Sequence, residues 1–427
     1  MDRIIDTILE LRSKKQMKEV IWQAYLNRGV KEGRSGGKLR VLILNAPCNG
    51  FGDLIFAMKL ANYVREWYGA SVTIATPLRD GLTKLGWPKS HSVSLSGGKA
   101  QCRRFKSLKI GRRLPHQDLI FAAPIHTDFH PEISDIRKIV PYASKLNTFM
   151  FSEYNDSTRK GFDFDTGVGG DRCGLLLTDT KGIRGKPKKL RGKYALAYIA
   201  DPDSIPNADN CLLSFIEMIA KKYRKHTKLS IVVPKWVDSE IEDMARRLVS
   251  RVGEYYASVA YVASDKRLFV ATDGPGQRAL ILRGDILPVP NDEMIRLMKG
   301  SVADILLTGD QSLTDGLSCC SRKNIFYQIA PWKESLGREL AKLLPNPWLK
   351  KKRTSCGTRQ ATAYRSSYSK FVKDWDFRKL ARPKMDAIVA RVRAIKKDRD
   401  VAYLAELVES SRSVASLKKK VREEFLD

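Results

Sequence analysis

The stretch "LRVLILNAPCNGFGDLIFAMKLANYV", residues 39–64, decides the fold. An apolar run at 39–45 stops at Asn-Gly-Phe-Gly-Asp and restarts at once as a helix over 53–68, where Leu54, Ala57, Met58, Ala61 and Val64 recur at helical spacing. A strand that is apolar throughout, rather than at alternate positions, is buried on both faces, as strands of a parallel sheet are. "ASVTIAT" at 70–76 supplies the next strand and closes a βαβ unit.

Outward from this unit, residues 3–30 read as one or two helices and "KEGRSGGK" (31–38) as a flexible joint. Further strands are expected at 118–124 and 146–154, the second leading to the glycine-rich "DTGVGGDRCG" at 165–174. The Gly-, Pro- and Lys-rich segment 181–193 has no periodicity and reads as a crossing between domains. Alternation then restarts. Strands at 193–200, 228–234, 278–289, 303–308 and 324–330 interleave with helices at 209–224, 236–250, 292–299 and 312–320. After Pro345 the chain is polar and basic, then helical from about 370.

The expectation is an α/β protein of two Rossmann-like doubly wound domains facing across a cleft, with helical extensions at each end. Residues 1–38 form the first extension, 39–180 and 181–345 the two domains, and 346–427 a basic tail with helices.

Composition agrees. A chain of 427 residues exceeds one ordinary core, and 43% hydrophobic residues suffice for two. The formal charge of +30 favours anionic partners. It is dispersed, with local runs at 184–193 and 349–353, so a solvated surface accounts for it and nucleic-acid binding rests on charge alone. Seven cysteines without a CxxC pair fit a reducing, cytoplasmic compartment. The amphipathic amino terminus lacks the apolar core of a signal peptide, and no run is long enough to span a bilayer, so a soluble intracellular protein is expected.

In an open parallel sheet, ligands bind where strands end and helices begin, because helix amino termini present unpaired N–H groups and partial positive charge. Each domain offers one loop of unusual composition there: Cys48, Asn49, Gly50, Phe51, Gly52 and Asp53 in the first, and Thr308, Gly309, Asp310, Gln311 and Ser312 in the second. The first does not fit the G-x-G-x-x-G dinucleotide fingerprint. Asp53 reads equally as a helix cap, which stabilises by about 1 kcal/mol. In the second loop Asp310 or Ser312 caps the helix, while the N–H groups of Gln311, Ser312 and Leu313 are placed to hold a diphosphate.

Residues 285–331 resemble the nucleotide-binding half of GT-B glycosyltransferases. The loop and helix "NGFGD…MKLANYV" are similar to the Asn-x-Gly-Asp loop of that fold, most closely in the bacterial protein-arginine rhamnosyltransferase family. Gly309, Asp310, Gln311 and Ser312 correspond to that family's Gly-acid-Asp-Ser loop, with Gln311 departing from it. "TGVGG" (166–170) has a glycine-rich counterpart, which places Gly167, Gly169 and Gly170 near the cleft. The combination also resembles glycosyltransferase-like proteins of large DNA viruses. The likeness covers about a third of the chain and does not extend through 77–150 or past 345.

This resemblance implies sugar transfer from a nucleotide-sugar to an acceptor, whether anionic, protein or glycan, with inversion and without a metal or other cofactor. Asp53 is then the general base, Asp310 a contact of the donor's ribose or sugar, and Gln311, Ser312 and Leu313 the diphosphate ligands. Tyr327, Gln328, Trp332 and Lys333 are read two ways, as nucleotide contacts or as closure of the core. Arg283 is read as a phosphate ligand or a surface salt bridge. His126 and His130 lack a third ligand for a metal. The competing expectation is a basic structural or nucleic-acid-binding protein, of a virion for example, on the same fold without activity.

Overall fold

The computed structural model describes residues 2–26, 38–48, 51–97, 105–111, 114–156, 161–264, 267–320, 323–343, 362–365 and 373–425. Asn49, Gly50, the joint at 31–37 and the basic run at 349–353 lie outside them.

Helices α1 (Asp2–Glu10) and α2 (Lys14–Leu26) precede the first sheet. That sheet contains β1 (Arg40–Leu44), β2 (Ser71–Thr76), β3 (Ser92–Ser96), β4 (Lys109–Ile110), β5 (Leu119–Ile125) and β6 (Thr148–Ser152). Its order is β4-β3-β2-β1-β5-β6, parallel except at the β3–β4 edge. Helix α3 (Gly52–Tyr68) joins β1 to β2, and the short α4 (Arg79–Lys84) and α5 (Ile133–Ile139) come later in this domain. All four residues from Val41 to Leu44 are fully buried, as the unbroken apolar run requires.

The second sheet contains β7 (Tyr194–Tyr198), β8 (Lys228–Val232), β9 (Ser258–Val262), β10 (Arg267–Ala271), β11 (Ala279–Arg283), β12 (Asp304–Thr308), β13 (Asn324–Gln328) and β14 (Thr362–Arg365). They are ordered β10-β9-β11-β8-β7-β12-β13-β14, antiparallel only at the two edges. Helices α6 (Ala208–Lys222), α7 (Val237–Val252), α8 (Asn291–Gly300), α9 (Asp310–Cys319) and α10 (Glu334–Leu343) complete the second unit. This is the two-domain, doubly wound α/β architecture that the sequence pattern requires.

Some details differ from expectation. The strand expected over 278–289 ends at Arg283, and β9 and β10 occupy a stretch to which no element was assigned. Helix α9 starts at Asp310, two residues early, because Gly309 serves as its cap.

The basic crossing at 181–193 lies along α8, where Lys299 Nζ donates to the carbonyls of Thr180 and Ile183, each at 2.9 Å. Beyond the second sheet the chain returns to the first domain through α11 (Phe377–Leu380) and α12 (Arg382–Ser410). Leu175 N–H donates to Trp375 O at 2.7 Å, and Phe377 N–H donates to Leu175 O at 3.0 Å. The Phe377 ring stacks on Tyr63 and Trp67 of α3. The distal part of α12 and α13 (Val414–Phe425) enclose a separate core with α1 and α2, built from Ile5, Ile8, Met17, Ile21, Leu404, Val408, Leu417 and Val421.

Among the described residues no helix is long and apolar enough to cross a membrane. Cys48 and Cys211 take part in disulfides, against the fully reduced set expected, whereas Cys173, Cys319 and Cys320 are free thiols.

Candidate active site between the two sheets

In each sheet successive strands are added first on one side and then on the other. The direction reverses between β1 and β5 in the first sheet and between β7 and β12 in the second. Loops leaving β1 and β12 therefore stand at the two switch points, where helices diverge and leave a crevice. Those are the loops that carry Asp53 and Asp310.

The first loop is fixed by Asn45, fully buried just beyond β1. Its amide Nδ2 donates to the carbonyls of Asp53 and Ala123, each at 3.1 Å, and its Oδ1 accepts from Thr76 Oγ1 at 3.0 Å. One side chain thus ties the first turn of α3 to three strands. Asp53 does not cap its own helix. Its Oδ2 instead accepts the backbone N–H of Cys48 at 3.0 Å, closing the loop back on itself. Gly52 has no positive φ, and a Cβ there would meet nothing within 4 Å, so it opens space rather than a special backbone conformation.

Asp53 remains partly exposed, and its carboxyl is pushed up to about 7. Burial is the main cause, and the Glu153 charge adds to it. The Cys48 N–H and the Lys333 ammonium pull the other way, and Asp310 pushes upward again. Lys333 and Asp310 belong to the second domain, so Asp53 faces that domain directly.

Opposite it, Gly309 takes φ +84 and ψ 145 and caps α9. A Cβ at Gly309 would meet nothing within 4 Å, so the glycine is required by backbone conformation alone. Gly309→Ala is expected to cost about 1–3 kcal/mol in urea denaturation. A change under about 0.3 kcal/mol would mean that the turn adapts.

Asp310, Gln311 and Ser312 form the first turn of α9, whose N–H groups have no partner inside the helix. Leu313 does not belong with them. Its N–H donates to Gly309 O at 3.0 Å and its side chain is buried, which removes it from the diphosphate ligands expected. Burial raises the Asp310 carboxyl against the pull of Lys333, and Tyr327 OH donates to its Oδ1 at 3.3 Å. Gln311 and Gln328 are both buried, and Gln311 Oε1 and Gln328 Nε2 have no hydrogen-bond partner. Thr308 Oγ1 bonds the other end of the Gln328 amide.

No family model and no curated protein matches the chain. Among solved structures it is similar to the glycosyl transferase family 9 protein from Veillonella parvula, at 10% identity and a TM-score of 0.35, over 85% of this chain and 97% of that one. It is also similar to a trehalose-6-phosphate synthase, at 10% identity and a TM-score of 0.24, over 95% of this chain and 82% of that one.

Arg283 is taken up by Asp285, whose two oxygens it meets at 2.7 Å each, so the salt-bridge reading holds and its guanidinium is engaged. His130 Nε2 lies 2.8 Å from Gly161 O, and no group of three metal-ligating side chains occurs among the described residues. Gly167 sits at φ +126 against Asn155, whose amide pairs with both the N–H and the carbonyl of Val168. A Cβ on Gly169 would meet Glu339 of α10, which puts this loop at the seam between the domains, with Gly170 beside it.

Glu153 and Lys59 were missed in the sequence. Glu153 lies just past β6, and its carboxylate contacts the Lys333 ammonium across the crevice. Lys333 also meets Asp310 Oδ2 at 2.7 Å. Burial alone would lower the Lys333 affinity for its proton, but the two carboxylates outweigh it and keep the ammonium charged. Lys59, on α3, reaches Asp315 Oδ1 of α9 at 2.5 Å and Thr314 Oγ1 at 3.2 Å, with the ion pair 8% and 2% exposed. Neither stands out in the sequence: Glu153 follows Ser152 among polar residues just past β6, and Lys59 is one charge among the apolar residues of α3.

Proposed function

We propose that the protein transfers a sugar from a nucleotide-sugar to an acceptor nucleophile in the crevice between its sheets. The observation that carries this is Asp53: a partly exposed carboxyl at one switch point, raised to about 7, facing the first turn of α9 at the other. A general base works best when its proton affinity lies near the working pH.

In this reading Asp53 takes the acceptor's proton as its O or N lone pair forms the new bond to the anomeric carbon. The bond from that carbon to the phosphate oxygen breaks, and its electron pair leaves with the nucleoside diphosphate. The N–H groups of Gln311 and Ser312 and the positive end of α9 receive that charge. Attack opposite the leaving group inverts the anomeric centre, and no step requires a metal. Asp310 and Gln328 flank the donor side, where a sugar hydroxyl would satisfy a buried amide that now lacks a partner.

The basic structural or nucleic-acid reading draws no support from the crevice, which gathers Asp53, Glu153 and Asp310 around one ammonium.

A thermal-shift screen against UDP, GDP, dTDP and CDP tests the donor site. At a hundred times its Kd the matching diphosphate is expected to stabilise the chain by about 2.7 kcal/mol. Its sugar conjugate should then be turned over, with kcat/KM rising through about pH 7 as Asp53 ionises. If none of the four diphosphates shifts the transition at millimolar concentration, the donor assignment fails.

A further inference from the structure

Asp53 and Asp310 stand in the first turns of α3 and α9, two helices that Lys59 and Asp315 join at 2.5 Å, and Lys333 holds Glu153 beside Asp310, so three carboxyl groups and one ammonium share this end of the crevice. Lys333 lies in the turn Pro331–Lys333, and its side chain is 9% exposed. Its ammonium spans Glu153, from the first domain, and Asp310, from the second. One positive charge cannot balance three negative ones, so near neutrality one carboxyl is the most costly to ionise. Contacts single out which. Glu153 and Asp310 each hold the ammonium directly, and Asp310 also accepts the Tyr327 hydroxyl. Asp53 has the Cys48 N–H.

Building on the transfer reading, we propose that Glu153 and Lys333 are positioning residues that set the pH at which Asp53 accepts the acceptor's proton. Neither touches the reacting atoms. Glu153 acts as a like charge that keeps Asp53 protonated to higher pH, and Lys333 as the opposite charge that limits this rise. The other groups facing Asp53 are Asp310 across the crevice and the Cys48 amide. Tyr154 stands near Asp310, and burial keeps its phenol protonated, so it adds no charge.

The two residues therefore act with opposite sign, which a merely structural pair would not do. Glu153→Gln removes a negative charge and frees Lys333 towards Asp53, so the Asp53 midpoint should fall by about one pH unit. Lys333→Met should raise it by about one unit, and the double variant should return towards the parent. Lys333→Arg keeps the charge and should leave the midpoint within about 0.3 unit. If Lys333→Met does not fold, the Gln and Arg variants carry the test.

Infrared difference titration of each variant against the same protein carrying Asp53→Asn reads the carboxyl directly, without substrate. In parallel, the acid limb of kcat/KM is followed with the matching nucleotide-sugar. Midpoints displaced in opposite senses support the proposal, even if no sugar is transferred; in that case only the transfer reading falls. An unmoved midpoint in Glu153→Gln, or displacement of both variants in one direction, overturns the proposal. Transfer with an acid limb identical in the parent and Glu153→Gln overturns it too, while the transfer reading stands.

Discussion

Asp53→Asn is expected to slow sugar transfer by roughly 10²–10⁴-fold while leaving nucleoside diphosphate binding unchanged within about threefold. The amide keeps the shape and can still accept the Cys48 N–H, but it cannot take a proton. The N–H groups proposed to hold the donor lie on α9 and are untouched. The same variant carries a second signature in stability. Asp53 ionises at about 7 in the folded chain, against an ordinary value of 3.8. Between those values the folded chain holds a proton that the unfolded chain has released, so stability falls as pH rises through that window and the loss is complete above it. Asparagine has no such proton. Asp53→Asn should therefore match the parent near pH 4 and exceed it at pH 8, by on the order of 2 kcal/mol once screening by water in the crevice is allowed for. Urea denaturation at the two pH values measures this. Turnover retained within about threefold of the parent would remove Asp53 from the chemistry, and equal stability gaps at both pH values would mean that its carboxyl is ordinary.

Lys59→Met carries the largest expected loss of stability. It leaves Asp315 buried without its ammonium, held among the described residues by the Thr178 hydroxyl at 2.5 Å. Breaking a buried ion pair from one side costs about 3–5 kcal/mol, since the remaining charge is out of water and uncompensated. The Coulomb gain of the intact pair is largely offset by desolvation, so Lys59→Met combined with Asp315→Leu should recover most of the loss. Lys59 belongs to the first domain and Asp315 to the second, and Leu54, Leu313, Leu317 and Tyr154 form one continuous core around them. Urea denaturation of the single and double variants decides the matter. A single variant within about 1 kcal/mol of the parent would mean that water reaches the pair and that the seam between the domains is looser than the packing indicates.

Much of the fold was legible. The apolar run of β1, the helical spacing of α3 and the strand-helix alternation after residue 193 follow from local periodicity, which survives folding because it reflects burial on both faces of a parallel sheet. The two loops at the switch points could be found for the same reason. Edge strands could not: β10 is exposed at alternate residues and no position along it is fully buried, so its apolar signal is diluted. Single charges were also silent. Glu153 reads as one acid beside a buried strand, and its meaning depends on Lys333, 180 positions away. Lys59 lies between apolar residues on α3 and is buried because a partner helix from the other domain meets it. Leu313 was misassigned because the first N–H already consumed by a helix depends on where its cap lies, and Gly309 moved that boundary by two residues.

The return of α11 and α12 to the first domain bears on how the molecule is made. Tyr68 and Asp386, hydrogen-bonded at 2.7 Å, stand 318 positions apart, and Phe377, Met385 and Val389 occupy the core beside α3. A ribosome delivers the whole second sheet before it delivers those side chains. The first domain thus waits with an uncovered apolar face while its neighbour is synthesised, and loop closure over that distance is a late event. Order of synthesis and order of completion are inverted: the half that emerges first is finished last.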